Sequence, residues 1–448
     1  MHMTSIRILA PLLAASLSLS ASAQQRRKVT LHEALQLAAR QGPDVAAARA
    51  QAAIVQAAVN KAWTAWQPDL SATGSYDHTN GIAKVDLSAL GAALHSVNPN
   101  VPANAFGTGP ITIVDQNNYY GTFQVSQPLF SPQGLFAPAA AGAASEAAAR
   151  GADEAREQVL LGVSRAYLGL QGLYGLLDAA REAEKVALRR EDDAKARISA
   201  GTDVEIGLLR AQTETAQARS QIAALQGQIE SLVPLLEALT GEPIEPQPEG
   251  VAEELGQPSA ETAQPWERAF SVKSAVAGAQ AALKAGRIST FAWLPTIAGV
   301  AKENYNSNSG FTGKNWTYDL MINVTVPLYD RGARYAQQHE DDARLEQAQA
   351  QLAAARAKAR SAWLGARANL NAAHAVLQQS EAQSQLAARA QVQVEAAARA
   401  GVATSLDLSD ADQKKFAAQS AAAQARAEVQ IRRAEVAAAE GRLYEAAK

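Results

Sequence analysis

Short segments in which hydrophobic and polar residues alternate occur in pairs at two places along the chain. The first pair is carried by residues 70–77 (LSATGSYD) and residues 119–130 (YYGTFQVSQPLF). Residues 317–329 (TYDLMINVTVPLY) show the same alternation in the second pair. Successive side chains of a strand point to opposite faces, so a period of two predicts β-strands.

Helix-forming sequence precedes the first strand pair. Thr30 and Glu33 have the spacing of a capping box, in which each side chain bonds the backbone N–H of the other, so we expect a helix to begin there. Gly42 and the proline that follows it interrupt this helix. Helical sequence then resumes and continues to about Trp66.

A much longer helical stretch follows the first strand pair. Residues 139–199 contain no proline and predict a helix of about 90 Å, at roughly 1.5 Å per residue. Gly201 breaks it, and a second helix is predicted from about Asp203 towards Leu239. Pro234 predicts a kink or an early stop in that second helix.

The same order of features occurs twice, which predicts an internal duplication. In both copies a tryptophan is followed two residues later by a proline, before the first strand of the pair. A long polar loop, residues 79–118, separates the first two strands, whereas residues 306–315 form a short loop in the second copy. The matched features are Val45 to Trp66 with Val272 to Trp293, Pro128 with Pro327, and Gly201 with Gly401.

These features divide the chain into four parts. Residues 1–23 have a basic residue, an apolar segment and a small-residue cleavage site, which is the pattern of a signal peptide. Residues 24–240 form the first predicted repeat, residues 241–270 a Pro/Glu-rich linker, and residues 271–448 the second repeat. We therefore expect an exported protein.

Aromatic residues bracket the predicted strands, which favours an outer membrane β-barrel over a soluble sheet. Four strands cannot close a barrel, since the smallest closed barrels have about eight. An open sheet edge within lipid would leave backbone groups unpaired. Several chains must therefore pool their strands. The bracketing residues are Tyr119, Tyr120, Phe130, Trp316, Tyr318 and Tyr329.

Composition excludes several classes of function. The chain has no cysteine, and its formal net charge of −3 shows no basic footprint for nucleic acid. No stretch after residue 23 has 18 consecutive apolar residues, so no transmembrane helix is predicted. Phosphate-binding, metalloprotease and nucleophile-elbow motifs are absent, so we expect no enzyme activity, cofactor or metal.

Taken together, these segments resemble the TolC-like outer membrane factor family, the outer membrane efflux proteins. The resemblance rests on VTLHEALQLAARQGPDVAAARA, on the strand pairs that end in QPLF and VPLYDRGAR, and on the turns RISAGTDVEIGLLRAQTETAQARSQ and ARAGVATSLDLSDADQ. It implies a mixed α+β membrane protein: a homotrimer with a twelve-stranded outer membrane β-barrel, four strands from each chain, continued by a periplasmic α-helical coiled-coil tunnel. It also implies a Gram-negative outer membrane location, contacts with membrane lipids, and most of the chain in the periplasm.

The resemblance further implies a function and its partners. Family members are exit ducts of tripartite efflux systems, in which a periplasmic adaptor, or membrane fusion protein, connects them to an inner membrane transporter of the RND, ABC or MFS type. A duct for type I protein secretion or polysaccharide secretion is an alternative that the sequence does not separate. A periplasmic adaptor or a structural coiled-coil protein is the rival from a different class, and the aromatic-bracketed strands argue against it.

Asp407 and Asp410 are the first candidate functional residues. They lie three positions apart and so share one helical face. By themselves they are better explained as a solvated face beside a turn. In the family, aspartates at these spacings line the closed end of the tunnel, where three copies would form a cation-favouring ring. Like-charge repulsion in such a ring would raise some of the carboxyl pKa values.

Two further groups of residues follow from the resemblance. The helical tips, which family adaptors contact, comprise Gly201, Thr202, Gly401, Val402 and Thr404. The junctions between barrel and tunnel comprise Pro128, Gly134, Pro327 and Gly332, where proline is expected to end strand pairing and glycine to allow the turn into the helix.

Part of the family gate does not carry over to this chain. Some family members lock the closed end with an aspartate, a tyrosine and an arginine near the tips. The corresponding positions here are Gly207, Ala398 and Ala403. A closed state of this chain would therefore depend on other groups.

Overall fold

The described residues form four long strands and a set of long helices, with several short strands and helices between them. The computed structural model describes residues 27–201, 204–247, 264–308 and 313–446; the predicted signal peptide and most of the linker lie outside these ranges. In chain order the elements are β1 (Arg27–Val29), α1 (Leu31–Gln41), α2 (Pro43–Trp63), β2 (Asp69–His78), β3 (Ala83–Val85), α3 (Ser88–Val97), β4 (Ile111–Val114), β5 (Asn117–Phe130), α4 (Pro132–Ser199), α5 (Glu205–Thr240), β6 (Ile244–Pro246), α6 (Phe270–Thr290), β7 (Thr296–Asn306), β8 (Trp316–Thr325), α7 (Ala333–Arg399), α8 (Ser405–Ala439) and α9 (Leu443–Ala446).

The four long strands form one antiparallel sheet in the order β2-β5-β7-β8. The central strands β5 and β7 are half-buried over most of their length, whereas every residue of β2 and β8 is exposed. The sheet therefore has two free edges, and both edges carry long strands with unpaired backbone groups.

The first helix begins as the capping box predicts. The Thr30 hydroxyl accepts a hydrogen bond from the Glu33 N–H (3.2 Å), and the Glu33 carboxylate accepts one from the Thr30 N–H (3.1 Å). The helix ends at Gln41, and α2 starts at Pro43, where a missing N–H costs nothing because first-turn N–H groups have no helical partner.

Two long helices, of 68 and 67 residues, span about 100 Å each at 1.5 Å per residue. The first, α4, begins at Pro132 rather than at the predicted residue 139, because Pro132 occupies the first turn and the Ser131 hydroxyl caps it. Pro138 is accommodated within the helix.

The predicted early stop at Pro234 is wrong. Helix α5 continues through this proline to Thr240. Val233 and Leu236, on either side of Pro234, are buried in the core that α5 forms with α4. Burial of these side chains offsets the loss of one backbone hydrogen bond at the proline.

The predicted polar loop between β2 and β5 contains regular structure. Residues 83–114 form the short hairpin of β3 with β4 and the helix α3 between them. Gly91 of α3 lies against the Ala103 carbonyl, where an added Cβ would come within 2.5 Å of the oxygen. The side-chain N–H of Asn308 donates to the Ile113 carbonyl (2.8 Å) and ties this segment to the end of β7.

The helices form a row whose order matches that of the sheet. The end of α5 meets the start of α2, and the end of α8 meets the start of α6, so each pair makes one column. Helix α4 packs against both columns, and α7 packs mainly against α6 and α8. The row therefore runs from α2/α5 through α4 and α6/α8 to α7, with free edges at α2/α5 and α7.

The main hydrophobic core lies where α1, α4, α5 and the small parallel sheet of β1 with β6 meet. Tyr167 of α4 is 1% exposed, and its hydroxyl donates to the Val29 carbonyl (2.9 Å). Strand β6 lies in the predicted linker, whose first described residues are thus part of the packed structure.

A buried carboxylate holds the end of the chain against α4. The Glu157 carboxylate accepts hydrogen bonds from the backbone N–H groups of Leu443 and Tyr444 (3.1 Å each). The Arg156 guanidinium lies 3.7 Å from the centre of the Tyr444 ring. Burial raises the pKa of Glu157 to about 7, although the two N–H groups, Arg156 and Lys273 act in the opposite direction.

We expect Glu157 to make stability depend on pH. A carboxyl whose folded pKa lies above its ordinary 4.5 favours the folded state in its protonated form. The contribution of Glu157 to stability should therefore be largest below about pH 4.5 and fall as the pH rises towards about 7, by roughly 3 kcal/mol at most. Glu157→Gln mimics the protonated form and should flatten the profile of Tm against pH from 5 to 8 in detergent. An unchanged slope in this variant would contradict the assignment; Glu154→Gln, four-fifths of a turn away, is the control.

Candidate functional site

The first strand-to-helix junction is built around Trp66. Its indole N–H donates to the Gly134 carbonyl in the first turn of α4 (2.8 Å). A Cβ added at Gly134 would lie 3.0 Å from the indole ring, closer than a side chain tolerates without movement. The side-chain N–H of Gln127 in β5 donates to the Trp66 carbonyl (2.9 Å), so the indole segment is fixed to both the strand and the helix.

The second junction uses Trp293 in a different way. The Arg334 guanidinium lies 4.1 Å from the centre of the Trp293 ring, and its Nε–H donates to the Asp330 carboxylate (2.8 Å). A second guanidinium N–H donates to the Pro327 carbonyl (2.9 Å). Gly332, at φ 83°, caps the start of α7 in the left-handed region that favours glycine. Cation–π contact and hydrogen bonds thus fix this turn.

The two prolines of the junctions are not equivalent in the structure. Pro327 lies two residues after Thr325, where β8 ends in the single chain. Pro128 lies within β5, opposite Ala298 of β7, and β5 continues to Phe130 after an irregularity in register. The expectation that Pro128 ends strand pairing is wrong: β2 no longer pairs with β5 beyond Ser126, but β7 continues to pair with it at Pro128 and Phe130, so one missing N–H does not end the ladder.

The helical tips end in left-handed glycines at both hairpins. Gly201 has φ 70° and Gly401 has φ 75°, each directly after the last turn of a long helix. The N–H of Val402 donates to the Ala397 carbonyl (2.9 Å), which closes the helix end. Val402 is 83% exposed. Thr202 lies outside the described residues.

Asp407 is a helix cap in the single chain. Thr404 is the N-cap of α8; its backbone N–H and its hydroxyl both donate to the Asp407 carboxylate (2.9 and 2.6 Å), which completes a capping box. The Thr404 hydroxyl, together with the backbone N–H, holds the pKa of Asp407 below its usual value. The direction is opposite to the shift expected from repulsion within a ring.

Asp410 has a cationic neighbour on the same helix. The Lys414 ammonium lies 2.6 Å from the Asp410 carboxylate, and both side chains are more than half exposed. Exposed pairs of this kind contribute little to stability and are screened by salt. Both candidate aspartates therefore remain accessible to solvent while being partnered within their own chain.

An ionic cluster that the sequence analysis missed joins the two hairpins near their tips. The Arg190 guanidinium of α4 pairs with the Asp412 carboxylate of α8 and lies 3.7 Å from the Glu214 carboxylate of α5. The Ser409 hydroxyl donates to Glu214, and Arg190 also donates to the Leu408 carbonyl (3.2 Å). These contacts connect α4 and α5 of one hairpin to α8 of the other.

Burial shapes the electrostatics of this cluster. Arg190, Glu214 and Asp412 are each about four-fifths buried. Burial lowers the pKa of Arg190, while the nearby carboxylates of Glu214 and Glu395 act in the opposite direction. Removal of one member of such a cluster leaves the other charges buried without compensation, which is costly.

The positions of the family gate carry no polar side chain here, as the sequence already showed. Gly207 lies in the first turns of α5, Ala398 in the last turn of α7, and Ala403 in the turn before α8. Glu214 of the ionic cluster follows Gly207 on α5 by seven residues, about two helical turns. The members of the cluster have no recognisable spacing in the sequence, because each partner comes from a different helix.

No group of three or more potential metal-ligating side chains is found among the described residues. The same residues include no helix that is both long and apolar enough to cross a membrane.

The sequence matches a protein family described as outer membrane efflux protein over residues 34–242 and 264–442. No curated protein matches it. The outer membrane protein VceC of Vibrio cholerae has a TM-score of 0.72 at 18% identity, over 92% of this chain and 96% of that one.

Other solved structures share the fold at similar identity. The CmeC outer membrane channel of Campylobacter jejuni has a TM-score of 0.72 at 15% identity, over 92% of this chain and 85% of that one. The MtrE outer membrane channel of Neisseria gonorrhoeae, solved in an open state, has a TM-score of 0.69 at 17% identity, over 92% and 88%. At these identities the likeness concerns the fold alone.

Replacement of Gly134 by alanine tests the packing of the first junction. Alanine stabilises a helix interior relative to glycine by about 0.5–1 kcal/mol, and Gly142 of the same helix has open space around it. Gly142→Ala should therefore raise Tm slightly. Gly134→Ala should lower it, because the added Cβ displaces an indole that is held by its own hydrogen bond. Equal Tm values for the two variants would contradict the tight packing of Trp66.

Proposed function

The chain belongs to the outer membrane efflux protein family, and we propose that it is the outer membrane exit duct of a tripartite efflux system. This membership confirms the resemblance found in the sequence. The family consists of outer membrane channels and not of enzymes. In the proposed system a periplasmic adaptor and an inner membrane transporter deliver the substrate, and this chain passes it to the exterior.

The proposal rests on one observation: the sheet and the row of helices have their free edges on the same two sides of the molecule. Strand β2 continues from α2 at one edge, and β8 leads into α7 at the other. Within lipid the unpaired backbone groups of β2 and β8 require partners. Further copies of the chain supply them if β8 of one copy pairs with β2 of the next. Three copies would give a closed barrel of twelve strands.

The free helical edges support association of copies along the tunnel as well. Only four of the 67 residues of α7 are buried in the single chain. Its exposed apolar side chains include Leu364, Val376, Leu386 and Val392. A coiled-coil neighbour would remove these side chains from water, which is the main source of stability for helices of this length.

The tips are the proposed contact with the adaptor. Gly201 and Gly401 give two turns at the same end of the molecule, and the exposed Val402 offers an apolar contact beside one of them. We also assign Thr202 and Thr404 to this surface, although Thr404 additionally caps α8. The barrel lies at the opposite end, at the junctions of Pro128 and Gly134 and of Pro327 and Gly332.

Oligomeric state and channel activity test the proposal. The protein should fractionate with the outer membrane, run as a heat-sensitive trimer on an unheated detergent gel, and form ion-conducting channels in planar bilayers. A soluble periplasmic monomer, or a trimer that does not conduct, would contradict the assignment. The same preparation after boiling, which separates the copies, is the control for both measurements.

We further propose that Asp407 and Asp410 constrict the tunnel. In the single chain Asp407 caps α8, so alanine at this position would disturb the helix as well as the charge. Asparagine keeps an oxygen for the cap and removes the charge. The exposure of both carboxylates supports a position on the tunnel surface.

Asp407→Asn with Asp410→Asn should reduce cation selectivity and change single-channel conductance, because six carboxylates would leave the ring of a trimer. Reversal potentials in asymmetric KCl measure the selectivity. The control is Asp192→Asn with Asp193→Asn, which removes the same charge from the end of α4 near the tips. If the control shifts the reversal potential as much as the test variant, the constriction lies elsewhere.

A further inference from the structure

The two strand pairs of the chain have the same register. All ten partner pairs of β2 with β5 map onto the pairs of β7 with β8 when Trp66 is aligned with Trp293 and Pro128 with Pro327. Asp69 opposite Ser126 becomes Thr296 opposite Thr325, and His78 opposite Asn117 becomes Tyr305 opposite Trp316. The sequence repeat is therefore also a repeat of backbone geometry.

The seam between the two pairs, β5 with β7, has no counterpart within one chain. In this seam Ser126 lies opposite Val300 and Gln127 opposite Gly299. Under the same alignment β5 corresponds to β8, and β7 corresponds to β2. The counterpart of this seam can therefore form only between β8 of one copy and β2 of another.

We propose that the seam between copies has the register of the seam within each copy. Thr325 then lies opposite Thr73 of the next copy, and Val326 lies opposite Ala72. This inference rests on the proposed function, since it requires that copies of the chain close a barrel. It adds which residues of neighbouring copies meet, which the number of copies alone does not determine.

The segment after β8 supports the proposal independently. Residues 326–329 (VPLY) have no strand partner in one chain, and Val326, Leu328 and Tyr329 are 52%, 86% and 83% exposed. The matching segment of the first repeat, residues 127–130 (QPLF), is part of β5. The two segments differ in their strand partners: β7 pairs with residues 127–130, and no strand of the described chain pairs with residues 326–329.

The neighbouring copy should therefore extend β8 to Tyr329. Pro128 is accommodated opposite Ala298, and a register irregularity between Pro128 and Phe130 leaves Leu129 exposed. When β5 is mapped onto β8 and β7 onto β2, Pro327 lies opposite Ser71 of the next copy and Tyr329 lies opposite Leu70. Leu328 then corresponds to the exposed Leu129. Burial of exposed side chains and new backbone hydrogen bonds would accompany closure of the barrel.

Disulfide formation between copies can measure this register directly. The chain has no cysteine, so introduced pairs are the sole thiols. Directly opposite residues have Cβ atoms about 4.5–5.5 Å apart, within reach of a disulfide after small movements, whereas a shift of two residues increases the separation to about 7–8 Å. Within one chain β2 and β8 are separated by two strands, or about 14 Å, so an intrachain disulfide cannot form.

Two matched double variants test adjacent pairs, because hydrogen-bonded and non-hydrogen-bonded pairs alternate and only the closer type favours a disulfide. They are Thr325→Cys with Thr73→Cys, and Val326→Cys with Ala72→Cys. The controls, shifted by two residues, are Thr325→Cys with Ser75→Cys and Val326→Cys with Gly74→Cys; Gly74 has open space for a side chain. Mild oxidation of outer membranes is followed by denaturing, non-reducing gels.

The expected result is a covalent trimer for at least one matched variant and monomers for the controls after boiling without reductant. If all variants run as trimers on unheated gels but a shifted pair crosslinks in preference, the register is wrong while the proposed duct remains supported. If the unmodified chain forms no oligomer, both proposals are overturned. Crosslinking of Val326 with Ala72 would in addition show that the strand extends beyond Thr325.

Discussion

The constraint on which the rest of the structure depends is the pairing of backbone hydrogen-bonding groups at the edges of the sheet. Four antiparallel strands leave β2 and β8 with one free side each. Lipid provides no hydrogen-bond partner for these groups, so a sheet of this kind is incomplete as a single copy. The helices at the two edges are incomplete in a weaker sense. Most side chains of α2 and α7 are exposed in the single chain, on the same two sides as the edge strands.

The strand-to-helix junctions transmit this edge geometry to the helices. At the first junction the Trp66 indole bonds the Gly134 carbonyl, and at the second the Arg334 guanidinium lies over Trp293. Aligned tryptophans thus support both turns, with different partners. Strand β5 extends to Phe130 because β7 pairs with it up to that residue, whereas β8 has no second strand of the described chain beside it and ends at Thr325.

The sequence predicted those features that depend on nearby residues. The capping box of Thr30, the break at Gly42, the left-handed glycines Gly201 and Gly401, and the alternating strands follow from local spacing. Features that depend on distant neighbours were missed or wrong. Pro234 does not stop α5 because the helix packs on α4, and the structure between β2 and β5 was not recognised because its hydrophobic residues show no long period.

The ionic cluster shows most clearly why part of the candidate site could not be read from the sequence. Arg190, Glu214 and Asp412 come from three helices, and no pair has a spacing that indicates contact. One guanidinium faces two carboxylates at a site that is largely closed to water, so the attraction depends on all three side chains being held together. Because α4 and α5 belong to one hairpin and α8 to the other, movement of one tip without the other would separate these charges. The two hairpins of a chain are therefore coupled near their tips even though Gly207, Ala398 and Ala403 leave the family's gate positions without polar side chains.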